Sequence, residues 1–432
     1  MKTIRISRTN AGFEREPLAW PLSFKGGSMR DIWQAVAAIW SGAGTLGIGL
    51  CSQSVLWCDR RVFMGHSEAG GNALMFAVLE CALKAAEGMS FSTPLDLLDQ
   101  VLPETLKRAR TLTGIGDLRP TFALTPLVAL DNAAWQIYVK ENGLAGLDAA
   151  VPVEYRPALS GRCARIGAIP LVGYDFPAPE VRKLVEEGTF FMKVKIGSDP
   201  DKDGDQEKML RWDMARLREI HREIGGMRVK HTKDGLIPYY LDANGRYDGK
   251  ERLNRLLEHA RRIGAFERIA IVEEPFPEEY KADVRDLGVR IAADESAHGE
   301  NDVKERIDLG YGAIALKPAA KTLSMTLRMA SVAHAAHVPC FCADLTVSPI
   351  LVDWNKSVAA RLEPLPGMGF PVFETNGAHY YARWKDLSGW HPRAGASWTV
   401  ERDGVFELGE DFYGESGGIF EIPEHYRRLV DA

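Results

Sequence analysis

Between residues 168 and 375, eight short apolar runs rich in β-branched residues alternate with helical stretches. They are Ala168–Tyr174, Phe190–Ile196, Pro238–Ala243, Ile269–Glu274, Val289–Asp294, Gly312–Lys317, Val338–Ala343 and Pro371–Thr375. Near-continuous apolar strands separated by helices call for a parallel sheet buried on both faces. Eight such units in roughly 220 residues suit a closed (β/α)₈, TIM-like barrel. The chain has 432 residues, so a second unit must be built from what lies outside this stretch. The reading is an α/β protein: a catalytic barrel over 151–384, and an α+β capping domain over 1–150 completed by the tail from about 385 to 432.

The N-terminal stretch lacks that alternation. IRISRT, PLSFKGG and LGIGLC read as strands and loops, with a helix expected over Met29–Trp40. Further helices are expected over 68–87, 94–111 and 125–141. Thr93-Pro94 would open the second of these, and Asn142-Gly143 would close the third. Gly42-Ala-Gly44-Thr-Leu-Gly47 matches a dinucleotide-binding pattern literally but has an apolar run after it instead of a helix, so it reads as a turn. Asp199-Pro-Asp201-Lys-Asp203-Gly204 begins like a calcium loop, yet its twelfth position is Leu210 where a bidentate Glu is needed. His334 and His337 read as a helix-surface pair. Two stretches exceed an ordinary connection: the acidic 198–210, and 228–238, expected to be a hairpin turning at Lys233-Asp234-Gly235.

The chemistry sits at the strand ends. Strand two ends Lys193-Val-Lys195, strand three Asp242-Ala-Asn244, strand four Glu273-Glu274-Pro275, strand five Asp294-Glu295-Ser296 and strand six Leu316-Lys317-Pro318. In a parallel barrel these ends form one rim, where active sites lie. Residues two apart on a strand share a face, so Lys193 and Lys195 project together. Three acids on adjacent strands converge on one point, and like charges packed closely need a cation. An all-carboxylate set suits a hard divalent ion such as Mg²⁺.

The formal charge of −6 gives no general attraction to nucleic acid or an anionic membrane, and none is expected as a partner. The six cysteines form no CxxC pair and read as reduced thiols. No secretory pattern opens the chain and no apolar run of about 18 residues occurs, so a cytoplasmic location is the expectation.

Together, KVKIG, LDAN, VEEP, ADES and ALKPAAK resemble the strand motifs of the enolase superfamily, nearest to the branch of muconate lactonizing enzymes, dipeptide epimerases and o-succinylbenzoate synthases. ALDNAAW resembles the helix before the first barrel strand, and GVFELGED the C-terminal return strand. The resemblance implies Mg²⁺ on Asp242, Glu273 and Asp294, with Lys195 and Lys317 as the acid/base pair. It implies that Lys193 contacts the substrate carboxylate and lowers the pKa of Lys195, while Asn244 and Glu295 support the ligands from behind. Glu274 stands where the family often has Gln. The glycine pair common after the sixth-strand lysine is replaced by Thr322-Leu323. CFCADLT has no histidine, so Asp344 lacks the partner found in mandelate racemase-like members. FETNG lacks the Asp-x-Asp that holds a substrate ammonium in many dipeptide epimerases, which argues against a dipeptide. The implied activity is α-proton abstraction from a small carboxylate by a racemase, epimerase or cycloisomerase. An acid-sugar-type dehydratase is the alternative, and a non-catalytic binding protein the remote one. A homo-oligomer is implied, and Asp59, Arg60, Arg61 and Trp20–Lys25 would shape specificity.

Overall fold

The computed structural model describes residues 1–431. The N-terminal unit opens with β1 (Ile4–Phe24), β2 (Gly27–Ser41) and β3 (Leu46–Gln53). After the short α1 (Val55–Cys58) and the long α2 (Arg60–Ala86), β4 (Ser90–Phe91) completes an antiparallel sheet of order β3-β2-β1-β4. Then come α3 (Pro94–Thr113), α4 (Thr121–Asn142) and α5 (Leu147–Ala150).

The helix expected over Met29–Trp40 is a strand. Every residue from Ile32 to Ile39 is buried, so both faces of β2 are covered. The alternation that marks a half-buried strand disappears, and an Ala-rich run then looks helical. IRISRT and PLSF are the two ends of one 21-residue strand.

The other N-terminal expectations hold closely. The α2 stretch is broken at Ser67 (φ 64°, ψ 169°), so a regular helix begins at residue 68. Thr93 caps α3 in a reciprocal box with Asp96, and Gly143 closes α4 in the left-handed region. The Gly42–Gly47 segment is the β2–β3 turn. Gly47 and Gly49 allow a close approach: a Cβ there would lie 2.2 Å from the carbonyl oxygen of Ala133 and 1.9 Å from that of Ala129, both on α4.

The barrel follows. Its first strand is β5 (Arg165–Ile169) continued as β6 (Leu171–Val172), interrupted at Pro170. Next come α6 (Ala178–Glu186), β7 (Met192–Lys195), α7 (Gln206–Ile224), β8 (Tyr239–Asp242), α8 (Lys250–Ile263), β9 (Ile269–Glu273) and β10 (Ile291–Ala293). Then α9 (Glu300–Asp308), β11 (Ala313–Leu316), α10 (Pro318–Lys321), α11 (Leu323–Ala335), β12 (Cys340–Cys342), α12 (Pro349–Ala359) and β13 (Val372–Glu374) complete the ring. All eight predicted strands are present. β5 pairs with β13 and β6 with β7, so the two halves of strand one close the parallel ring. No α-helix joins β9 to β10, which accounts for the short interval between Glu273 and Asp294.

The tail divides its contacts. β14 (Glu401–Arg402) and β15 (Val405–Glu407) form a hairpin, and β15 pairs antiparallel with β5. GVFELGED therefore extends the barrel sheet, because the outer end of β5 offers an open edge there. Contacts with the N-terminal unit flank this hairpin: Arg383 pairs with Glu16, Gln136 donates to the Ile419 carbonyl, and Asn10 donates to that of Val430.

The loop 228–238 turns where predicted. Val229 N–H donates to the Gly235 carbonyl, and Gly235 has φ +71°. It forms no ladder, and it precedes β8, on the rim opposite the strand ends that carry the acids. The acidic loop after β7 is tied to itself, with Lys208 reaching Asp201 and Asp203. Cys51, Cys58, Cys340 and Cys342 are buried free thiols.

Candidate active site

The ends of several barrel strands line one pocket, with the buried acids Asp242, Glu273 and Asp294 reached through the lysines that border it. Leu22, Phe24, Ser54 and Trp57 of the N-terminal unit roof it, and Lys193, Lys195, Asn244, Lys317, Asp344, Glu374 and Asn376 of the barrel form its floor and walls. Lys195 and Lys317 follow strands four places apart in the eight-membered ring, so they enter from opposite sides.

The lysines are held by acids. Lys195 Nζ donates to Asp242 Oδ2 at 2.5 Å and to Asn244 Oδ1 at 2.6 Å. Lys193 Nζ donates to Glu273 Oε1 at 2.9 Å and to Glu374 Oε2 at 3.0 Å, and lies 2.9 Å from Asp242 Oδ2. Lys193 thus sits among three carboxylates instead of projecting alone. Burial opposes its charge, but Asp242, Glu273 and Glu374 outweigh burial and hold the ammonium well above the ordinary lysine range. Lys317 Nζ is 2.7 Å from Asp294 Oδ2, under the ring of Trp57, whose centroid is 4.2 Å away. Burial pushes Lys317 down, yet Asp294 with Glu273 and Glu295 raises it overall.

Several participants escaped sequence reasoning. Lys321, fully buried on α10, donates to the Asp294 carbonyl at 2.7 Å and to its Oδ1 at 3.3 Å. Lys25, in the β1–β2 turn, pairs with Glu295 at 2.8 Å. Glu374 ends the eighth strand and binds Lys193. The spacing of Lys321, four after Lys317, was a visible signal for one of these, and Lys25 closes the Trp20–Lys25 segment expected to shape specificity; nothing in the sequence marks the pairing of Lys25 with Glu295 or the role of Glu374. Glu274 accepts from the Asp294 and Ser296 amides and from Ser296 Oγ, so it holds the end of strand five. Burial pushes its carboxyl up to about 8, with Glu295 adding to the effect.

The donor set fits a cation. Glu273, Asp294 and Glu295 offer ligand oxygens within 4.8 Å of one another. Glu273 Oε2 and Glu295 Oε2 are buried without a hydrogen-bond partner, while Asp294 presents Oδ2 to Lys317 and Oδ1 to Lys321. Asp242, placed among the ligands by resemblance, is engaged at both oxygens, by the Asn244 amide at Oδ1 and by Lys195 at Oδ2. Glu295 leaves Oε2 free, while its other oxygen accepts from Asn244 Nδ2 at 2.9 Å. Five buried lysines (25, 193, 195, 317 and 321) face seven buried carboxylates (242, 273, 274, 294, 295, 344 and 374).

The backbone around the site is tense. Asn244, Glu274, Thr322 and Thr346 all have positive φ, with Thr322 at φ 72°, ψ 154°, a region that strongly favours glycine. Thr322 caps α11 by accepting from the Met325 amide at 3.0 Å. Asp131 of α4 secures the same segment, accepting from Ser324 N and Oγ.

Residues 178–368 match the family described as Enolase C-terminal domain-like. No curated protein matches the chain. Among solved structures, the chain is similar to a dipeptide epimerase from Cytophaga hutchinsonii complexed with Mg and the dipeptide D-Ala-L-Val, with a TM-score of 0.66 and 17% identity over 94% of this chain and 93% of that one. It is also similar to an N-succinyl Arg/Lys racemase from Bacillus cereus, with a TM-score of 0.64 and 14% identity over 99% and 98%. A mandelate racemase/muconate lactonizing protein from Herpetosiphon aurantiacus gives 0.63 and 19% over 94% and 96%. At these identities the likeness establishes the fold: an enolase-type barrel with an N-terminal cap.

Proposed function

We propose, from the match of residues 178–368 to the enolase C-terminal domain-like family, that the chain is a Mg²⁺-dependent cytoplasmic enzyme that moves the proton α to a carboxylate. A racemase or epimerase is the best reading, of the two-lysine type found in the muconate lactonizing branch. One observation carries it: Lys195 and Lys317 enter a single buried pocket from opposite sides of the ring, beside a cluster of carboxylates with free oxygens.

Glu273, Asp294 and Glu295 would hold the ion, and Asp242 would join them on giving up a lysine. When bound, the ion supplies positive charge for the enediolate oxygens, the dominant electrostatic need in removing so weak an acid's proton. Glu273 and Asp294, on holding the ion, would share with it the charge they now give to Lys193 and Lys317, and a lysine can act as a base only when neutral. Asn244 orients Lys195 through its amide oxygen, and Asp294 and the Trp57 ring fix Lys317 on the other side. Leu22, Phe24 and Trp57 exclude water from above. With a base on each face, one lysine removes the proton and the other returns one, inverting the centre.

Proton NMR in D₂O on each enantiomer of candidate carboxylates tests this. Lys195→Ala should lose exchange from one hand by roughly 10²–10⁴-fold and Lys317→Ala from the other. Loss from the same hand in both variants would overturn racemisation and favour one-face dehydration or cycloisomerisation.

A further inference from the structure

Three arginines border a pocket of about 250 Å³ on the rim of the barrel opposite Lys195 and Lys317. Arg156 and Arg162 lie on the segment that leads into β5, and Arg361 lies just past the end of α12. Tyr413 of the tail holds two of them against its ring, with Arg162 at 4.4 Å and Arg361 at 5.0 Å from the centroid. Its hydroxyl is fixed between the Cys163 amide and carbonyl. Asp148 is the one carboxylate in the lining. Arg361 is 1% exposed, so its charge is held out of water. Its Nε donates to Asp148 Oδ1 and its Nη1 to the Ser357 carbonyl at 2.7 Å, while Nη2 is buried without a partner. Nε and Nη2 share one edge of the guanidinium, an edge that suits two oxygens of one anion. Asp148 gives that edge a single oxygen, and its other oxygen lies 3.7 Å from Arg162 Nη1. Arg156 donates through Nε and Nη2 to the Val151 and Ala149 carbonyls, and its Nη1 has no protein acceptor among the described residues. Glu410 pairs with Arg162 but is 88% exposed and stands outside the lining. A buried guanidinium N–H without an acceptor carries a desolvation cost that an anion in this pocket would remove.

We propose that this pocket is an oxyanion site for a phosphate group, free or at the end of a small phosphomonoester. A tetrahedral phosphate presents oxygens towards all three guanidiniums, which a planar carboxylate with two oxygens does less well. The pocket is smaller than the roughly 300–1,000 Å³ of a drug-sized ligand site, so the ligand is small. Asp148, whose side chain is half-exposed, turns aside, and the phosphate supplies the acceptor that Arg361 Nη2 lacks. The bound anion would tie together the lead-in to β5, the end of α12 and the tail. It does so on the rim away from the proton chemistry, and the site stands whether or not that reading holds.

Titration calorimetry on the full chain, with inorganic phosphate, glycerol 3-phosphate and acetate at matched ionic strength, tests this. At least one of the two phosphates should bind about tenfold or more tightly than acetate. Tighter binding of glycerol 3-phosphate supports the site with a phosphomonoester as its ligand; equal or tighter binding of inorganic phosphate supports it with the free ion. Arg156→Gln and Arg162→Gln alter exposed side chains and leave the buried Arg361–Asp148 pair in place, so both variants should fold. Each should weaken phosphate by about tenfold. Arg108→Gln, on the exposed face of α3, should leave it unchanged. Asp148→Asn should tighten binding, because it removes the one negative charge in the lining. Phosphate held no more tightly than acetate, or binding that survives both Arg156→Gln and Arg162→Gln, overturns the proposal.

Discussion

Lys25 Nζ lies 2.8 Å from Glu295 Oε1, so a turn of the N-terminal sheet places a charge inside the barrel site. Glu295 in turn accepts from Asn244, and Asn244 accepts from Lys195. A buried chain of polar contacts therefore runs from the cap to one of the proposed bases. Lys25→Met should cost about 3–5 kcal/mol in denaturant unfolding, because it strands a buried carboxylate. Adding Glu295→Gln to it should restore part of the loss; a double variant less stable than the single would show the pair is not coupled in this way.

Metal binding should be visible without turnover. An ion at one hundred times its Kd adds about 2.7 kcal/mol to stability, so Mg²⁺ should raise the Tm of the wild type. Glu273→Gln and Asp294→Asn each remove a proposed ligand and should lose this rise. A full rise in either variant would remove that residue from the ligand set.

Thr322 tests whether the backbone after Lys317 is strained. At an ordinary position Gly is less stable than Ala, but here φ is 72° and ψ 154°. Thr322→Gly should therefore be more stable than Thr322→Ala, by about 1 kcal/mol in thermal or chemical unfolding. The opposite order would mean the segment relaxes at no cost.

Asp131 sets a pH dependence. Burial pushes its carboxyl up to about 7, against the ordinary 3.8. Between these values the folded state holds a proton that the unfolded chain has released, so this group's contribution falls as pH rises through the window. The slope is about 1.4 kcal/mol per pH unit. Urea unfolding between pH 5 and 7 should show a shallower decline in Asp131→Asn than in the wild type. Parallel curves would place the titration elsewhere.

The barrel was legible because strand ends alternate with helices whatever their sequence neighbours, and each motif residue sits where its own strand stops. What was hidden depended on distant segments. The β2 run from Ile32 to Ile39 is covered on both faces, and so lost its periodicity. Lys25 acquires meaning only when β1 and β2 fold over the barrel. Glu374 ends a strand in plain view, but its partner Lys193 lies 181 residues away. Asp242 matches a ligand position by motif, yet its oxygens accept from Lys195 and the Asn244 main chain, and local sequence does not encode that pairing. Thr322 was recognised as a departure from glycine, while the positive φ it retains is a property of the surrounding packing.

Helix α4 is buried continuously from Thr121 to Val139. One side lies against the strand bearing Gly47 and Gly49, and others bind the α10–α11 segment through Thr125, Asp131 and Trp135. A helix enclosed all round belongs to the interior of both units at once. Cutting the chain near residue 150 would bare it on one piece and leave a trough on the other, so neither piece should be inherited or exchanged as a module. New substrates would have to be reached by altering the end of β1 with Leu22, the β1–β2 turn with Lys25 and the short α1 with Trp57, while the joint beneath them stays fixed.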